Sequence, residues 1–564
     1  MGVVTVTAAG RALAARLARA WPDEVCRHEG PVRDQLSEAW VNSDVVVCVL
    51  ATGATVRLVA PLLADKHTDP GVVCVDEAGR FAVALTGGHD GGANAAATRI
   101  AALIGAQPVV TTATDAAGLP ALDALGTDLG FRLDDPAGVA AVGRAVLDGA
   151  GVEVVADAVW PLPPLPGHAE TTVRLAVSDR LDAAGDLVYR PPSLVVGVGS
   201  SRGATVEAVT AAVDAALAAG GLSPASVRAL ATVDAKRDEP GILALAEDRG
   251  WPLLTYPAAA LATEDVPNPS PVVRDAVGTP SVAEAAALRA AREAGRAAAL
   301  LVPKRVTPTV TAAVARTTPR GRLTIVGLGP GDEGLRAPLA SAALRRSAVV
   351  VGLDQYVDQV RHLLAPGTRV LASGLGDESR RAREAVDLAT AGHAVALVGS
   401  GDAGVYAMAS PALELAGADV DVGTVPGVTA ALAAAALLGA PLGHDHAYVS
   451  LSDLHTPWPA IADRLRAVAA ADFVVCLYNP RSRARTGQFD AALTILGQHR
   501  RPETPVGVVR DASRAGQRVA VTTLTALAAD PSIVDMRTVV VVGSTRTLVV
   551  AGRMVTPREY RWLS

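Results

Sequence analysis

AVALVGSGDAG, residues 394–404, is an apolar run that breaks into a loop of three glycines, a serine and an aspartate. A run of that length with no polar alternation suits a strand buried on both faces, followed by a strand-to-helix turn. The loop fits G-x-G-x-x-G literally, but Asp402 inside it opposes a phosphate. It suits a ligand with a ribose, an amino group and a positive centre; a purely structural turn is the other reading. Upstream, LTIVGLGPGD (323–332) repeats the form, again with an acidic residue, Asp332, where the third glycine of a dinucleotide fingerprint belongs. Pro330 stiffens that turn, so it is no Rossmann phosphate site.

The same alternation of short Val-rich runs with Ala-rich helical runs extends along the chain, at 45–50, 72–75, 194–198, 473–477 and 538–542. It predicts an α/β, multi-domain protein with largely parallel sheets covered by helices. Its 564 residues exceed one core and imply three to four units. Two Pro-rich segments break the rhythm, 160–192 and 303–321, and read as linkers between domains at 1–159, 193–302 and 322–564.

Half of the residues are hydrophobic, aromatics are 3% and charged residues 19%. The most apolar stretch, 425–442, is mostly Ala interrupted by Pro and Gly, which falls short of a membrane span. Arg11, Arg16 and Arg19 interrupt any signal-peptide core, so the start reads as strand then helix and the expected location is cytoplasmic. The net charge of −6, with dispersed Lys and Arg, offers no basic patch for nucleic acid. Cys26, Cys48, Cys74 and Cys476 lack metal-ligand spacing and are expected to be buried, reduced thiols.

Two further glycine loops carry polar groups. In Gly87-Gly-His-Asp-Gly-Gly92, four glycines leave His89 accessible, and the helix beyond Asn94 presents a positive end to a carboxylate. In Gly197-Val-Gly-Ser-Ser-Arg-Gly203, Arg202 and two hydroxyls suit a carboxylate-rich ligand better than a nucleotide.

These loops lie inside longer patterns. VGLGPGD (326–332), ALVGSGDAGVYAMA (396–409), the run 425–458 that ends in HDHAYVSLSDLHTPW, DFVVCLYNPRSRAR (472–485) and TVVVVGS (538–544) resemble the precorrin-3B C(17)-methyltransferases of the tetrapyrrole methylase family. The sequence departs from that pattern at Gly352-Leu-Asp-Gln-Tyr356, where an aromatic is expected sooner. The resemblance implies two α/β lobes with S-adenosylmethionine between them. It places Ser400, Gly401, Asp402, Thr429, Ala430, Tyr478 and Asn479 along the cofactor, Pro330 close by, and Asp332 facing the macrocycle as a catalytic group. His444, His446 and His455 are further acid–base candidates, with a structural role the alternative.

Ahead of this, GVVCVDEAG (71–79), LTGGHDGGANAAATRIAALIGAQPVVTTATD (85–115), GVGSSRGATVEAV (197–209), LATVDAKRDEPGILALA (230–246) and GTPSVAEAAAL (278–288) resemble cobalt-precorrin-5A hydrolases. That resemblance implies two hydrolase-type α/β lobes that open a lactone and release acetaldehyde. His89 is then the expected base, with Asn94, Thr112 and Asp115 shaping the site. Lys236, Glu239 and Glu284 are candidates in the second lobe, Lys236 being equally a solvated charge. Cobalt enters only as part of the corrinoid substrate, and a homodimer through the methylase and other cobalamin-pathway enzymes are the expected partners. The alternatives are an NAD oxidoreductase using 399–404, a non-catalytic corrinoid carrier at the N-terminus, and methylation of a protein.

Overall fold

A computed structural model describes the chain except residues 66–67, 89–90, 168, 483–484 and 559–564. Contacts divide the chain into two compact units, the first Met1–Pro319 with Ala365–Gly367, the second Arg320–Leu364 with Thr368–Ser564. Every apolar run singled out in the sequence forms a strand, and the sheets are covered by helices.

The first unit holds three sheets. The first has six strands in the order Cys26–Arg27, Gly2–Thr5, Val45–Val49, Gly71–Val75, Phe81–Thr86, Gln107–Val109. Val47, Val49, Val73 and Val75 pack on Ala97 and Ile100 of the helix Ala93–Ile104. The chain starts as strand then helix, Gly2–Thr5 and Ala8–Ala20, as its charge pattern predicted. The third sheet joins three parallel strands, Leu253–Tyr256, Val227–Val233 and Leu194–Ser200, to an antiparallel hairpin, Val310–Thr318 with Ala297–Val306. The alanine face of the helix Ala283–Ala294 lies so close to this sheet that a Cβ on Gly197 would stand 1.8 Å from the Ala283 carbonyl oxygen.

Both Pro-rich segments differ from the linker reading. Residues 160–192 supply Thr172–Val177 and Leu187–Arg190 to a four-stranded sheet with Arg132–Leu133 and Gly151–Ala156. That sheet has its own core around Leu175, Val177 and Tyr189, and Tyr189 donates to the Leu122 carbonyl at 2.6 Å. Buried Asp179 ties the segment to the third sheet through Arg316 Nε at 2.7 Å and Ser193 Oγ at 2.7 Å. Residues 303–321 likewise run through the hairpin, with its turn at Thr307–Val310. Pro303 lies inside the edge strand Ala297–Val306, where the register shifts between Val302 and Arg305, and the other prolines of these segments stand outside the strands, so a punctuated sequence still folds as sheet.

The second unit has two lobes. The first is wholly parallel, in the order Arg369–Ser373, Val349–Leu353, Ala394–Gly399, Gly321–Gly327, Val420–Val425. The second is mixed, in the order His446–Ser450, Val474–Tyr478, Thr538–Val542, Pro505–Arg510, Arg518–Thr523. Thr538–Val542 is antiparallel to both neighbours although its five residues are all buried. An unbroken apolar run reports burial on both faces, not strand direction. Cys48, Cys74 and Cys476 are buried thiols; Cys26, on a two-residue edge strand, is exposed and departs from the expectation. Among the described residues no helix is long and apolar enough to cross a membrane.

Candidate functional site

In the second unit the two glycine loops lie at the carboxyl ends of neighbouring parallel strands, Gly321–Gly327 and Ala394–Gly399. They are joined backbone to backbone: Gly329 N–H donates to the Gly401 carbonyl at 3.0 Å, and Gly401 N–H to the Gly329 carbonyl at 2.8 Å. Both glycines have positive φ, 76° and 67°, which this close reciprocal pairing requires. A third turn closes on them, for Asp402 accepts from Gly427 N–H at 3.0 Å and from Gly404 N–H at 2.8 Å. The Asp402 carboxylate thus braces the loops, while the backbone of 400–402 faces Thr429 and Ala430 across the turn. Asp332 is exposed and accepts from Gly334 N–H at 2.7 Å, capping the short turn Glu333–Leu335.

The second lobe contributes a tyrosine wall. Tyr478 ends the strand Val474–Tyr478; its hydroxyl accepts from Ala431 N–H at 2.8 Å and bonds the Thr429 hydroxyl at 2.6 Å. Burial pushes this phenol up to about 12, so it stays neutral. Tyr406 packs on its ring at 5.3 Å and Tyr448 at 5.8 Å, three of the seven tyrosines of the chain. Tyr406, itself at φ 52°, donates to the Tyr448 carbonyl at 2.7 Å and so crosses from one lobe to the other. Asn479 is held at φ 49° by Arg485, which donates to its carbonyl at 2.6 Å, and its amide reaches Ser450 Oγ at 3.1 Å. His446 lies at the edge of the wall, 5.7 Å from Tyr448; His444 and His455 are exposed in loops.

The structure therefore brings Pro330, Ser400, Gly401, Asp402, Thr429, Ala430, Tyr478 and Asn479 into one neighbourhood of linked loops and turns. Sequence reasoning missed Tyr406, Tyr448 and Arg514. Arg514 donates through Nε to the Pro330 carbonyl at 2.7 Å and through Nη2 to Ser400 Oγ at 2.8 Å, so it clasps both glycine loops. The scarcity of tyrosine was a usable signal for the wall; no motif marks Arg514.

In the first unit, Asn94 lies in the first turn of its helix rather than before it, and is buried. Its amide donates to Thr112 Oγ1 and to Asp115 Oδ2, each at 3.1 Å, and the Thr112 hydroxyl also donates to Asp115. These three residues do converge. His89, the expected base, lies outside the described residues. In the third sheet's lobe, Lys236 Nζ donates to Glu239 Oε2 at 2.9 Å, while Glu239 Oε1 accepts from Gly203 N–H. The hydrogen bond from Lys236 holds the Glu239 carboxyl below its usual range. Arg202 is exposed on the same loop. Glu284 is fully buried, and its oxygens accept from Asn268 Nδ2 at 2.8 Å, Lys304 N–H at 3.0 Å and Asn268 N–H at 3.2 Å. The structure gives Glu284 an internal bracing position, away from any solvent-borne ligand.

Comparison with known proteins agrees with this division. Residues 34–115 match the cobalamin synthesis G N-terminal family, 194–315 the cobalamin synthesis G C-terminus family, and 322–528 the tetrapyrrole (corrin/porphyrin) methylases. A probable cobalt-factor III C(17)-methyltransferase of Salmonella typhimurium is 45% identical over 241 residues, 42% of this chain and 99% of that protein. The cobalamin biosynthesis protein CbiHC of Archaeoglobus fulgidus is 41% identical over 244 residues, 43% of this chain and 53% of that one. The crystal structure of the methyltransferase CobJ aligns at 38% identity over 42% of this chain and all of that one, with a TM-score of 0.40. The C-terminal unit is a methyltransferase, preceded in the same chain by modules of cobalamin biosynthesis. The chain belongs to the tetrapyrrole methylase family, with both cobalamin synthesis G domains fused ahead of the methylase.

Proposed function

We propose that the C-terminal unit transfers a methyl group from S-adenosylmethionine to C-17 of a precorrin-3B-type macrocycle or its cobalt form, with ring contraction. The observation that carries the reading is the reciprocal Gly329–Gly401 pairing, which sets two backbone loops, free of lysine and arginine, against the Thr429–Tyr478 seat. The loops' own amides, hydroxyls and one carboxylate suit a sulfonium nucleoside better than a pyrophosphate, and the cation that reaches them, Arg514, belongs to a separate loop. When bound, the cofactor supplies an electrophilic methyl: the S–CH3 bond breaks, its electron pair stays on sulfur, and a C–C bond forms at the ring carbon.

This chain's own residues then hold and orient. Well-oriented reactants gain on the order of 7–11 kcal/mol of barrier reduction from positioning. The Tyr406–Tyr448–Tyr478 wall flanks the proposed cofactor seat, and Asp332, which is exposed, is the proposed acceptor of a proton from the macrocycle. The test is anaerobic incubation of the full chain with S-adenosylmethionine and the cobalt-bound or metal-free C-20-methylated precursor. One methyl gained in the mass spectrum supports the reading; no gain on either form sinks it.

The first unit is proposed to open the δ-lactone of the cobalt-precorrin-5A macrocycle. Water adds to the lactone carbonyl and the acyl C–O bond breaks, which frees a hydroxyl on the two-carbon branch. That hydroxyl gives up its proton, the C–C bond to the macrocycle breaks with its electron pair left on the ring, which takes up a proton, and the branch leaves as acetaldehyde. His89 is the proposed base, the Asn94–Thr112–Asp115 cluster shapes the site, Lys236 and Glu239 are the catalytic candidates of the second lobe, and Arg202 binds a macrocycle carboxylate. One observation favours a second reading, a corrinoid carrier that does no chemistry: Glu239 and Glu284 are engaged by internal partners, leaving Arg202 exposed as an anion-binding cation. Acetaldehyde released from the lactone substrate, and lost in His89→Ala, decides for hydrolysis; tight binding with none released decides for the carrier.

A further inference from the structure

Arg514 stands on a short loop after the strand Pro505–Arg510, and that loop is held in an unusual shape. Asp511 and Ser513 both have positive φ, 50° and 62°, although neither is glycine. Such residues are strained and persist only where the surroundings over-determine them. Here they do. Asp511 is buried and accepts from Arg537 Nε at 2.6 Å; its own N–H donates to the Arg537 carbonyl at 3.0 Å, and its carbonyl accepts from Arg514 N–H at 3.0 Å. The Ser513 N–H is taken by Gln517 at 2.8 Å. The bracing fixes where the Arg514 guanidinium can go, and it goes over Pro330 and Ser400. Gly331 accommodates it, since a Cβ there would stand 2.6 Å from Arg514 Cγ.

Two of the five guanidinium N–H groups are used in those contacts, Nε and one on Nη2. Among the described residues the other three meet no acceptor, and no carboxylate pairs with Arg514. The nearby carboxylates are spoken for: Asp332 caps its turn and Asp402 braces Gly404 and Gly427. A half-buried arginine with donors left over, strained into place at a cleft, is a ready bidentate site for a carboxylate.

We propose that Arg514 is the anchoring residue of the methylase cleft for a ligand carboxylate. This rests on the methyltransferase reading above. The carboxylate comes from the amino-acid end of S-adenosylmethionine or from an acidic side chain of the macrocycle, and the two sources separate experimentally.

The full-length chain and Arg514→Gln are titrated calorimetrically with S-adenosylhomocysteine and with 5′-methylthioadenosine, which keeps the nucleoside and sulfur but has no carboxylate. If the cofactor supplies the carboxylate, the variant binds S-adenosylhomocysteine about 10- to 100-fold more weakly, the range of a charge-assisted hydrogen bond, and methylthioadenosine unchanged. If the macrocycle supplies it, both nucleosides bind unchanged, and KM for the tetrapyrrole rises about 10- to 100-fold while kcat holds within about threefold. Should the glutamine variant melt early, Arg514→Lys keeps the charge without the fork and retains the affected affinity within about tenfold. Equal weakening of both nucleosides, as a merely structural clasp would give, overturns the proposal, and so does a variant within twofold of the parent in every measurement. A parent chain that binds no S-adenosylhomocysteine overturns the methyltransferase reading instead.

Discussion

Gly427 and Gly401 approach so closely that a Cβ on Gly427 would stand 2.1 Å from the Gly401 carbonyl oxygen. At Gly401 the nearest atom to a Cβ is 3.5 Å away, and only its φ of 67° resists a side chain. Gly401→Ala should therefore cost about 1–2 kcal/mol of strain. Gly427→Ala must displace a loop, and is expected to cost about 1–3 kcal/mol and to weaken S-adenosylhomocysteine binding the more severely of the two. Calorimetric titration of both variants ranks them; a reversed order would refute the three-loop packing.

Tyr478 sets a pH limit. Its phenol is raised to about 12 because burial disfavours the phenolate. The unfolded value is about 10. The folded form thus holds its proton longer than the unfolded one, and this group leaves stability level below pH ~10 and lowers it as pH climbs from ~10 towards 12. Tyr478→Phe removes that dependence. It also strips Ala431 N–H of its acceptor, at about 1–3 kcal/mol. Urea midpoints from pH 8 to 11 for the two proteins test both effects.

Glu284→Ala leaves Asn268 N–H and Lys304 N–H without the acceptor that the buried Glu284 carboxylate supplies. A loss of about 2–4 kcal/mol in the first unit is expected, with corrinoid affinity of the surviving folded fraction unchanged. An intact melting profile with weakened binding would instead return Glu284 to the ligand site.

Lys236→Met strands the Glu239 carboxylate, which is 7% exposed. The expected loss is about 3 kcal/mol near neutral pH. Because Lys236 depresses the folded pKa of Glu239, the pair's contribution is complete above the unfolded value and disappears as pH falls through the folded one. The variant should accordingly show a shallower acid limb below pH ~4.5 than its parent. Circular dichroism against pH is the measurement.

The strands were legible because burial on two faces leaves an unbroken apolar run, as at Val45–Val49 and Ala394–Gly399. The sheet inside 160–192 was not. Its strand Thr172–Val177 interleaves Arg174 with Val173 and Leu175, and the surrounding prolines look like breaks unless one knows that they stand outside the ladder. Loop residues were found where glycine and a carboxylate recur in a local pattern, as at Asp402. Arg514 meets Pro330 and Ser400 from 184 and 114 positions away, and no local period encodes such a meeting. Glu284 shows the converse error. A carboxylate in a motif reads the same whether it faces a ligand or closes a core, and only the four hydrogen bonds it accepts from Asn268, Ser281 and Lys304 tell the two apart.

The packing of Gly327, Gly401 and Gly427 has a bearing on how this cleft can change over time. A Cβ at Gly327 would stand 2.8 Å from both the Gly401 carbonyl oxygen and Gly427 N, so Gly327 and Gly427 each press on the other and on the Gly401 carbonyl. In an ordinary core an enlarged side chain can be compensated by trimming the neighbour it strikes. Here the neighbours are already bare backbone, and nothing remains to trim. A suppressor of damage at Gly327 or Gly427 must come from a shift of the main chain, carried by residues such as Asp402 or Arg514 that hold the loops from outside. Selection for revertants of Gly427→Ala should therefore return true reversions or changes in those distant braces, and none at the two facing glycines.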